Sequence, residues 1–355
     1  MTVESPLSPT LTTGAAQTAL ARIERLVEDN YGLEVNAERL SAERDEIFKL
    51  RDRAGQHYIL KVAHGQEDSG AIDFETRALL HVAEHDPQLP TPRLVPALDG
   101  KYVITPPWGG SSPPAVRLFN WLPGAPLSAA PRSLAQTAML GTFLARLGMA
   151  LSEFQHPMQG RYMDWDLRHT GRLAPLVEAL TADSRRKLAS RALDTFLERV
   201  PPARLAQQRS QVIYNDLNPH NVLVDSNDPE RVTGIIDFGD IAHTALINDV
   251  AIGASYLCVL GQTPLEYPLQ FIRAYHRMMP LEPQELELVY DLMVARLIMT
   301  VAITEWRGSR NPQNRAYILK NTGLAWAGLE RLSQVDYEVA SNLFIDACAN
   351  QRGTP

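Results

Sequence analysis

The stretch Tyr214-Asn-Asp-Leu-Asn-Pro-His-Asn221, followed by Ile235-Ile-Asp-Phe-Gly-Asp240, decides the fold of this chain. Asp216 stands five residues before Asn221, and Asp237 stands sixteen residues after it. An Asp, four intervening residues, an Asn and then an apolar strand ending in Asp-Phe-Gly is the spacing of a phosphoryl-transfer site. In such a site the first Asp is the base that meets the acceptor hydroxyl, and the other two side chains hold metal ions. Each residue alone could cap a turn, but the spacing of all three favours phosphoryl transfer.

Apolar residues flank these polar side chains. The segments 222–224 and 232–236 are both rich in Val and Ile, and the turn residues Ser226-Asn-Asp-Pro229 separate them. This pattern predicts two short strands joined as a hairpin, with Asn221 and Asp237 side by side.

The bulk composition is that of a soluble globular enzyme with room for two lobes. The chain has 355 residues, 45% hydrophobic and 21% charged, with a net charge of −7 and no dense basic stripe, so we expect no nucleic-acid partner. The longest apolar run, 250–261, is too short to span a bilayer, and the first residues lack a signal sequence, so we expect no membrane partner and a cytoplasmic protein. Cys258 and Cys348 show no metal-like spacing and are predicted to be buried thiols.

The first third of the chain predicts a small α+β lobe. A tail at 1–13 is expected to be disordered, and the lobe extends over 14–122. Helical spacing at 15–31 and 71–84 brackets a hairpin at 48–62, and a second antiparallel pair is predicted from 102–105 and 115–122.

The remainder, 123–350, predicts a larger and mostly helical lobe. Pro123-Gly-Ala-Pro126 breaks the chain, and the predicted hairpin lies inside the helical lobe. Helical patterns recur in five segments, 133–155, 173–199, 265–279, 283–308 and 315–332.

One lysine in the first lobe is a candidate phosphate ligand. In the strand Ile59-Leu-Lys-Val-Ala63 the side chains of Ile59 and Lys61 share a face. A lysine on an edge strand could simply face solvent. However, the next helix carries Glu75 on an otherwise apolar stripe, and a buried carboxylate needs a partner. We therefore predict a Lys61–Glu75 pair that orients the lysine toward nucleotide phosphates.

Two further segments are candidates for nucleotide contacts. Ser41 precedes the hairpin and could contact phosphate, although no glycine-rich loop is present there. Phe119, Trp121 and Leu122 stand where the lobes join, which is where an adenine would meet the backbone. These three could equally be strand core.

Two clusters that combine a tryptophan with opposite charges are candidates for the acceptor site, Trp165-Asp-Leu-Arg168 and Glu305-Trp-Arg307. Arg168 and Arg307 could hold a carboxylate, and Asp166 and Glu305 could hold an ammonium. Each cluster could also be a buried tryptophan beside surface charges.

Together these motifs resemble the aminoglycoside phosphotransferase-like kinases, which include choline, homoserine and hydroxylysine kinases, over roughly residues 15 to 335. The closest resemblance is to the hydroxylysine-kinase-like branch, on Tyr58-Ile-Leu-Lys-Val62, Val116-Arg-Leu-Phe-Asn-Trp-Leu-Pro-Gly124, Trp165-Asp-Leu-Arg168 and Asn248-Asp249. The resemblance implies a bilobal protein-kinase-like fold, Asp216 as catalytic base, and Asn221 and Asp237 as Mg²⁺ ligands. It also implies ATP or GTP as donor and a small-molecule alcohol as acceptor.

One departure from the family pattern affects the catalytic loop. The family has His-Gly before the catalytic Asp, whereas this chain has Tyr214-Asn215, and Asn lacks the backbone freedom of glycine. Two alternatives to a kinase for hydroxy amino acids or amino alcohols stay open at this stage, an antibiotic phosphotransferase and a nucleotide-binding regulator without turnover. The oligomeric state is also open.

Overall fold

A computed structural model describes residues 18–41, 45–64, 67–108 and 113–349. The predicted tail at 1–13 lies outside these residues. The chain forms two lobes, and the α+β class and the division into a β-rich lobe and a helical lobe are confirmed.

The small lobe is one antiparallel sheet with two helices. In the sequence, one helix precedes the first three strands and the other follows them. The sheet order is β1-β2-β3-β5-β4, so Lys61 on β3 lies near its centre. Its elements are α1 (Leu20–Tyr31), β1 (Val35–Leu40), β2 (Glu46–Asp52), β3 (His57–Val62), α2 (Ser69–His85), β4 (Leu94–Val95) and β5 (Val116–Asn120).

The predicted strand at 102–105 is reduced to a single bridge between Ile104 and Val116. The two prolines that follow, Pro106 and Pro107, have no N–H to extend the pairing. Leu94–Val95 supplies the edge strand instead, because it pairs with Leu118 and Phe119 of β5.

The large lobe packs helices around two small sheets, one of β10 and β7 and one of β6, β8 and β9. The predicted helices at 173–199, 283–308 and 315–332 are each divided in two. The elements are β6 (Ala125–Pro126), α3 (Leu134–Leu151), α4 (Ala174–Glu178), α5 (Asp183–Arg199), α6 (Pro202–Ala206), β7 (Ser210–Ile213), β8 (Val222–Val224), β9 (Val232–Ile235), β10 (Ala242–Ala245), α7 (Leu246–Ser255), α8 (Glu266–Met278), α9 (Pro283–Leu286), α10 (Val289–Arg310), α11 (Arg315–Ile318), α12 (Thr322–Leu332) and α13 (Tyr337–Ala349).

The connection between the lobes packs closely against the β8–β9 hairpin. Gly124 has φ 141°, and a Cβ there would lie 2.7 Å from the carbonyl oxygen of Val224, so only glycine fits without a shift. The close approach fixes the exit of the small lobe directly beside the strands that carry Asn221 and Asp237.

Hydrophobic burial fills two cores. One lies under the sheet of the small lobe, and the larger one occupies the helical lobe and includes Cys258 and Cys348, which are both buried free thiols as predicted. Among the described residues, α3 is the one helix whose length and composition would allow it to cross a membrane, and most of it is buried in the helical lobe.

Candidate active site

The predicted catalytic loop, 214–221, leaves β7 through a left-handed turn. Asn215 has φ 67°, the region for which glycine is usually chosen and which Asn tolerates best among the other residues. Its side chain donates to the carbonyl of Asp240 at 3.0 Å. The backbone amides of Tyr214 and Asn215 donate to the buried carboxylate of Asp249 at 3.1 and 2.8 Å. The Asn that replaces the family's glycine therefore adopts the left-handed conformation, and these three hydrogen bonds hold the loop.

Asp249, on the first turn of α7, holds this loop in place. Burial raises the pKa of Asp249 to about 7, although the two amide bonds favour its charged form. Tyr214, which replaces the family's His, donates its hydroxyl to the carbonyl of Ile236 and packs edge-on against Phe238 with ring centroids 5.1 Å apart. These two contacts hold the loop against the Asp-Phe-Gly segment at 237–239.

Asp216 is held by three side chains. Its Oδ2 accepts from the amides of Asn221 at 2.6 Å and Asn218 at 2.9 Å, and its Oδ1 accepts from the Arg296 guanidinium at 2.5 Å. Burial raises the pKa of Asp216, and the charge of Arg296 opposes that rise. The carboxylate is fixed in one orientation, as a general base requires.

The predicted hairpin is present. β8 pairs antiparallel with β9 through Val222 and Ile235, and the amide of Ile236 donates to the carbonyl of Asn221 at 2.9 Å. Asp237 follows with φ 63°, and its exposed side chain lies in the cleft between the lobes beside Asn221. Both predicted metal ligands thus face the same space.

Lys61 meets Glu75 as predicted, and a second acid joins them. The ammonium lies 3.7 Å from Glu75 and 3.2 Å from Asp45, and Arg117 holds the other oxygen of Glu75 at 2.9 Å. Burial favours the neutral form of Glu75, but Arg117 and Lys61 together lower its pKa below the usual value. The carboxylate therefore stays charged and positions Lys61.

A cavity of about 300 Å³ lies between the sheet and the hairpin, and we call it the nucleotide cavity. Its roof is the face of β3 and its floor carries Leu223, Ile236 and Phe238. All of the residues predicted to contact nucleotide line it, namely Ser41, Ile59, Lys61, Glu75, Phe119, Trp121 and Leu122.

A second cavity of about 200 Å³, which we call the acceptor cavity, adjoins the first. Six residues line both cavities, namely Ile47, Lys61, Asn221, Asp237, Tyr317 and Lys320, and we call three of them, Lys61, Asn221 and Asp237, the common wall. Asp216 and Asp240 face the second cavity only. Burial, together with the charges of Asp216 and Asp237, raises the pKa of Asp240 to about 7.

The far wall of the acceptor cavity is one stripe of α10. Arg296, Thr300, Thr304 and Arg307 all line the cavity, and their spacing of four, four and three residues places them on one helical face. Burial lowers the pKa of Arg307 to about 10, which still leaves it charged near neutral pH. Trp165, Tyr256, Tyr317, Lys320 and Asn321 complete the wall.

Of the four side chains predicted for the acceptor, the structure brings only Arg307 to this cavity. Asp166 is fully buried, where it accepts from Thr244 at 3.0 Å and from Arg168 at 2.8 Å. Glu305 accepts from the indole of Trp326 at 2.8 Å. These two carboxylates therefore accept hydrogen bonds from neighbouring side chains, and the Arg168 guanidinium is paired with Asp166.

Sequence reasoning missed Arg296 and gave no role to Tyr317 or Lys320. A signal for Arg296 was present, because Arg296, Thr300, Thr304 and Arg307 form a polar stripe at helical spacing along a mostly apolar helix. Tyr317 and Lys320 come from the short segment after α10 and offer no comparable pattern.

Two lobes with a cavity between them, an Asp–Asn–Asp set and a paired lysine define a phosphotransferase with a protein-kinase-like fold. The sequence agrees with this class. A profile of the "Phosphotransferase enzyme family" matches residues 37–287, and the chain belongs to that family.

Individual relatives agree with the family assignment. The hydroxylysine kinase of Mus musculus is 24% identical over 241 residues, which cover 65% of this chain and 64% of that protein, so the chain spans just under two thirds of this relative. The hydroxylysine kinase of Danio rerio is 24% identical over 327 residues, covering 88% of this chain and 90% of that protein. Among solved structures, a microcompartment-associated aminopropanol kinase superposes with a TM-score of 0.68 at 21% identity, over 91% of this chain and 99% of that one. The chain is thus a small-molecule kinase of this family.

Proposed function

We propose that this kinase transfers the γ-phosphoryl group of ATP or GTP, with Mg²⁺, to the hydroxyl of a small hydroxy amino acid or amino alcohol. The observation that carries the proposal is the common wall of the two cavities. Lys61, Asn221 and Asp237 face both of them, and Asp216 stands on the acceptor side. A nucleotide in one cavity and an alcohol in the other would meet at this wall.

The donor set at the wall suits Mg²⁺. Asp237 supplies a carboxylate, and Asn221, whose amide nitrogen is committed to Asp216, supplies an amide oxygen. No group of three or more His, Cys, Asp or Glu side chains within the described ranges forms a cage made of protein alone. Mg²⁺ needs none, since it binds one or two protein oxygens together with nucleotide phosphates and water. When bound, it would offset the charge of the transferred group.

The remaining polar residues have roles that follow from their positions. Lys61, held by Glu75, would contact the nucleotide phosphates, and Asp216 would accept the proton of the acceptor hydroxyl. Trp121 and Leu122 would border the base where the lobes join. The choice between ATP and GTP stays open.

The acceptor class follows from the charges and the size of its cavity. Arg307 and Lys320 offer cations for a carboxylate, and Asp240 offers an anion for an ammonium. The names of the relatives point the same way, because hydroxylysine and aminopropanol are both amino alcohols. A volume of about 200 Å³ is enough for a small acceptor of this kind.

An acceptor screen with an enzyme-coupled assay for ADP or GDP tests the proposal. We expect turnover with hydroxy amino acids or amino alcohols and far less with kanamycin-like compounds or protein serines. Preferred turnover of kanamycin would contradict the acceptor class while leaving the kinase mechanism intact. We also propose a cytoplasmic location, in keeping with two unpaired thiols, which fractionation of the source cells would check.

A further inference from the structure

Arg296 binds the carboxylate of Asp216, the proposed base, from the side of the acceptor cavity. Its Nη2 donates to Oδ1 of Asp216 at 2.5 Å, while the asparagine amides already bind Oδ2. A charge-assisted bond of this kind is stronger than a neutral one and draws electron density from the oxygen. Both carboxylate oxygens are thus engaged before an acceptor arrives.

Arg296 itself is only partly satisfied. The side chain is buried with 2% exposure, its Nε donates to the hydroxyl of Tyr256 at 3.1 Å, and its guanidinium carbon lies 5.1 Å from the centre of the Trp165 ring. Its Nη1 is also buried and has no hydrogen-bond partner among the described residues. A guanidinium that lines a ligand cavity with a free donor is a site for a planar anion, because its fork matches a carboxylate.

We infer that the carboxylate of the acceptor binds Arg296 and draws its guanidinium from Asp216, so that the base becomes available only when a carboxylate-bearing acceptor is in place. This inference rests on the proposed function and narrows its acceptors to hydroxy acids, with amino alcohols that lack a carboxylate as poorer substrates. Arg307, eleven residues further along α10, lies about 16 Å away along the helix axis and is too far to replace Arg296 at Asp216.

The step then proceeds with Oδ1 free. The acceptor oxygen bonds to the γ-phosphorus as the bond from phosphorus to the bridging oxygen breaks. The nucleoside diphosphate leaves with that electron pair, and the hydroxyl proton passes to Asp216. Without an acceptor, the bond from Arg296 restrains Asp216 from activating water, which limits wasteful hydrolysis of the donor.

Matched pairs of acceptors test the inference in the full-length enzyme. L-threonine and 1-aminopropan-2-ol, L-homoserine and 3-aminopropan-1-ol, and 5-hydroxy-L-lysine and 1,5-diaminopentan-2-ol differ within each pair by one carboxylate. We expect the wild type to prefer the acid of at least one pair by tenfold or more in kcat/KM. Arg296→Met should abolish that preference, and Arg296→Lys, which keeps the charge, should restore part of it.

Hydrolysis in the absence of an acceptor supplies a readout that is independent of the acceptor's identity. In the wild type we expect slow hydrolysis, stimulated several-fold by 2-aminobutyrate, which has the carboxylate but no hydroxyl, and not by propylamine. Arg296→Met should raise the unstimulated rate several-fold and remove the effect of 2-aminobutyrate. Arg204→Met is the matched control, since it removes a guanidinium paired with Glu287 outside both cavities and should behave as the wild type.

The outcomes separate the two proposals. If no pair turns over but Arg296→Met still raises hydrolysis, the proposed acceptors are wrong and the restraint on Asp216 stands. If acceptors turn over but Arg296→Met retains the preference for the acid, or leaves hydrolysis at the wild-type rate, the inference is overturned while the kinase assignment survives. A merely structural role for Arg296 would lower every rate together, without changing the ratio within a pair.

Discussion

The nucleotide cavity and the acceptor cavity share a wall, but their lining residues differ in how well the sequence predicts them. Every side chain predicted for the nucleotide lines the first, whereas Arg307 alone of the four predicted for the acceptor lines the second. The residues predicted for the first lie mainly on adjacent strands and beside one hairpin, where spacing along the chain fixes spacing in three dimensions, although Tyr317 and Lys320 line this cavity as well. The second is walled by a helix stripe, loops and α11, which only tertiary packing brings together.

The largest effect should come from Asp216, the predicted base, which lines the acceptor cavity beside the common wall. Asp216→Asn should lower kcat by about 10²–10⁴, the range for removal of a positioned general base, while nucleotide affinity is retained. Steady-state rates, corrected for the folded fraction measured by circular dichroism, check this. The correction matters because Arg296 loses its buried counter-charge. Turnover within a few-fold of the wild type would remove Asp216 from its role.

In the common wall, loss of a charged side chain should lower nucleotide affinity more than loss of a neutral one. Asp237→Ala should reduce metal-dependent nucleotide affinity more than Asn221→Ala, because a carboxylate offsets the charge of Mg²⁺ and an amide supplies only a dipole. Calorimetry with Mg-nucleotide measures both, and binding without metal is the control. Equal affinity of the wild type and the Asp237 variant would show that the metal lies elsewhere.

Arg307→Met distinguishes the two arginines of the acceptor cavity as sites for the acceptor's carboxylate, and Arg168→Met is its control. If the carboxylate binds Arg307, KM for a carboxylate-bearing acceptor should rise by about tenfold, the loss of one charge-assisted hydrogen bond, with KM for nucleotide unchanged. If it binds Arg296, as inferred above, the change should stay below about twofold. Arg168→Met should change KM for the acceptor by less than about twofold, since Arg168 pairs with the buried Asp166 away from the cavity. A larger effect at Arg168 would restore the sequence-based assignment and break the contrast between the cavities.

The smallest effect is expected from protonation of Asp240. Because its pKa is raised to about 7, the carboxyl is neutral below that pH and charged above it. Binding of a cationic amine to the nucleotide-free enzyme should therefore strengthen by about threefold as pH rises from 6 to 8, as for a partly solvated ion pair. Asp240→Asn should remove the dependence in calorimetric titrations. A pH dependence that persists in that variant would assign the titration to another group.

The parts of this fold that could be predicted from the sequence are those in which a motif lies on or beside a single helix, strand or hairpin. The β8–β9 hairpin and the Lys61–Glu75 pair follow from periodicity, and both are present. Asp45, which also binds Lys61, could not be assigned, because its contact depends on how the chain returns before β2. Arg296 was missed because it lies eighty residues from Asp216, and only packing of α10 against α7 and the loop brings the two together.

The left-handed turn at Asn215 bears on how distant kinases of this kind are recognised. The turn constrains a backbone dihedral angle, and residues other than glycine meet that constraint, above all asparagine and aspartate, as Asn215 and Asp237 do here. A search pattern that spells the loop as His-Gly-Asp demands an identity where the molecule demands only a conformation. Such a pattern would pass over this chain, and its loss of the glycine would be mistaken for loss of catalysis, although Asp216, Asn221, Asp237 and the supporting Asp249 are all present at this site.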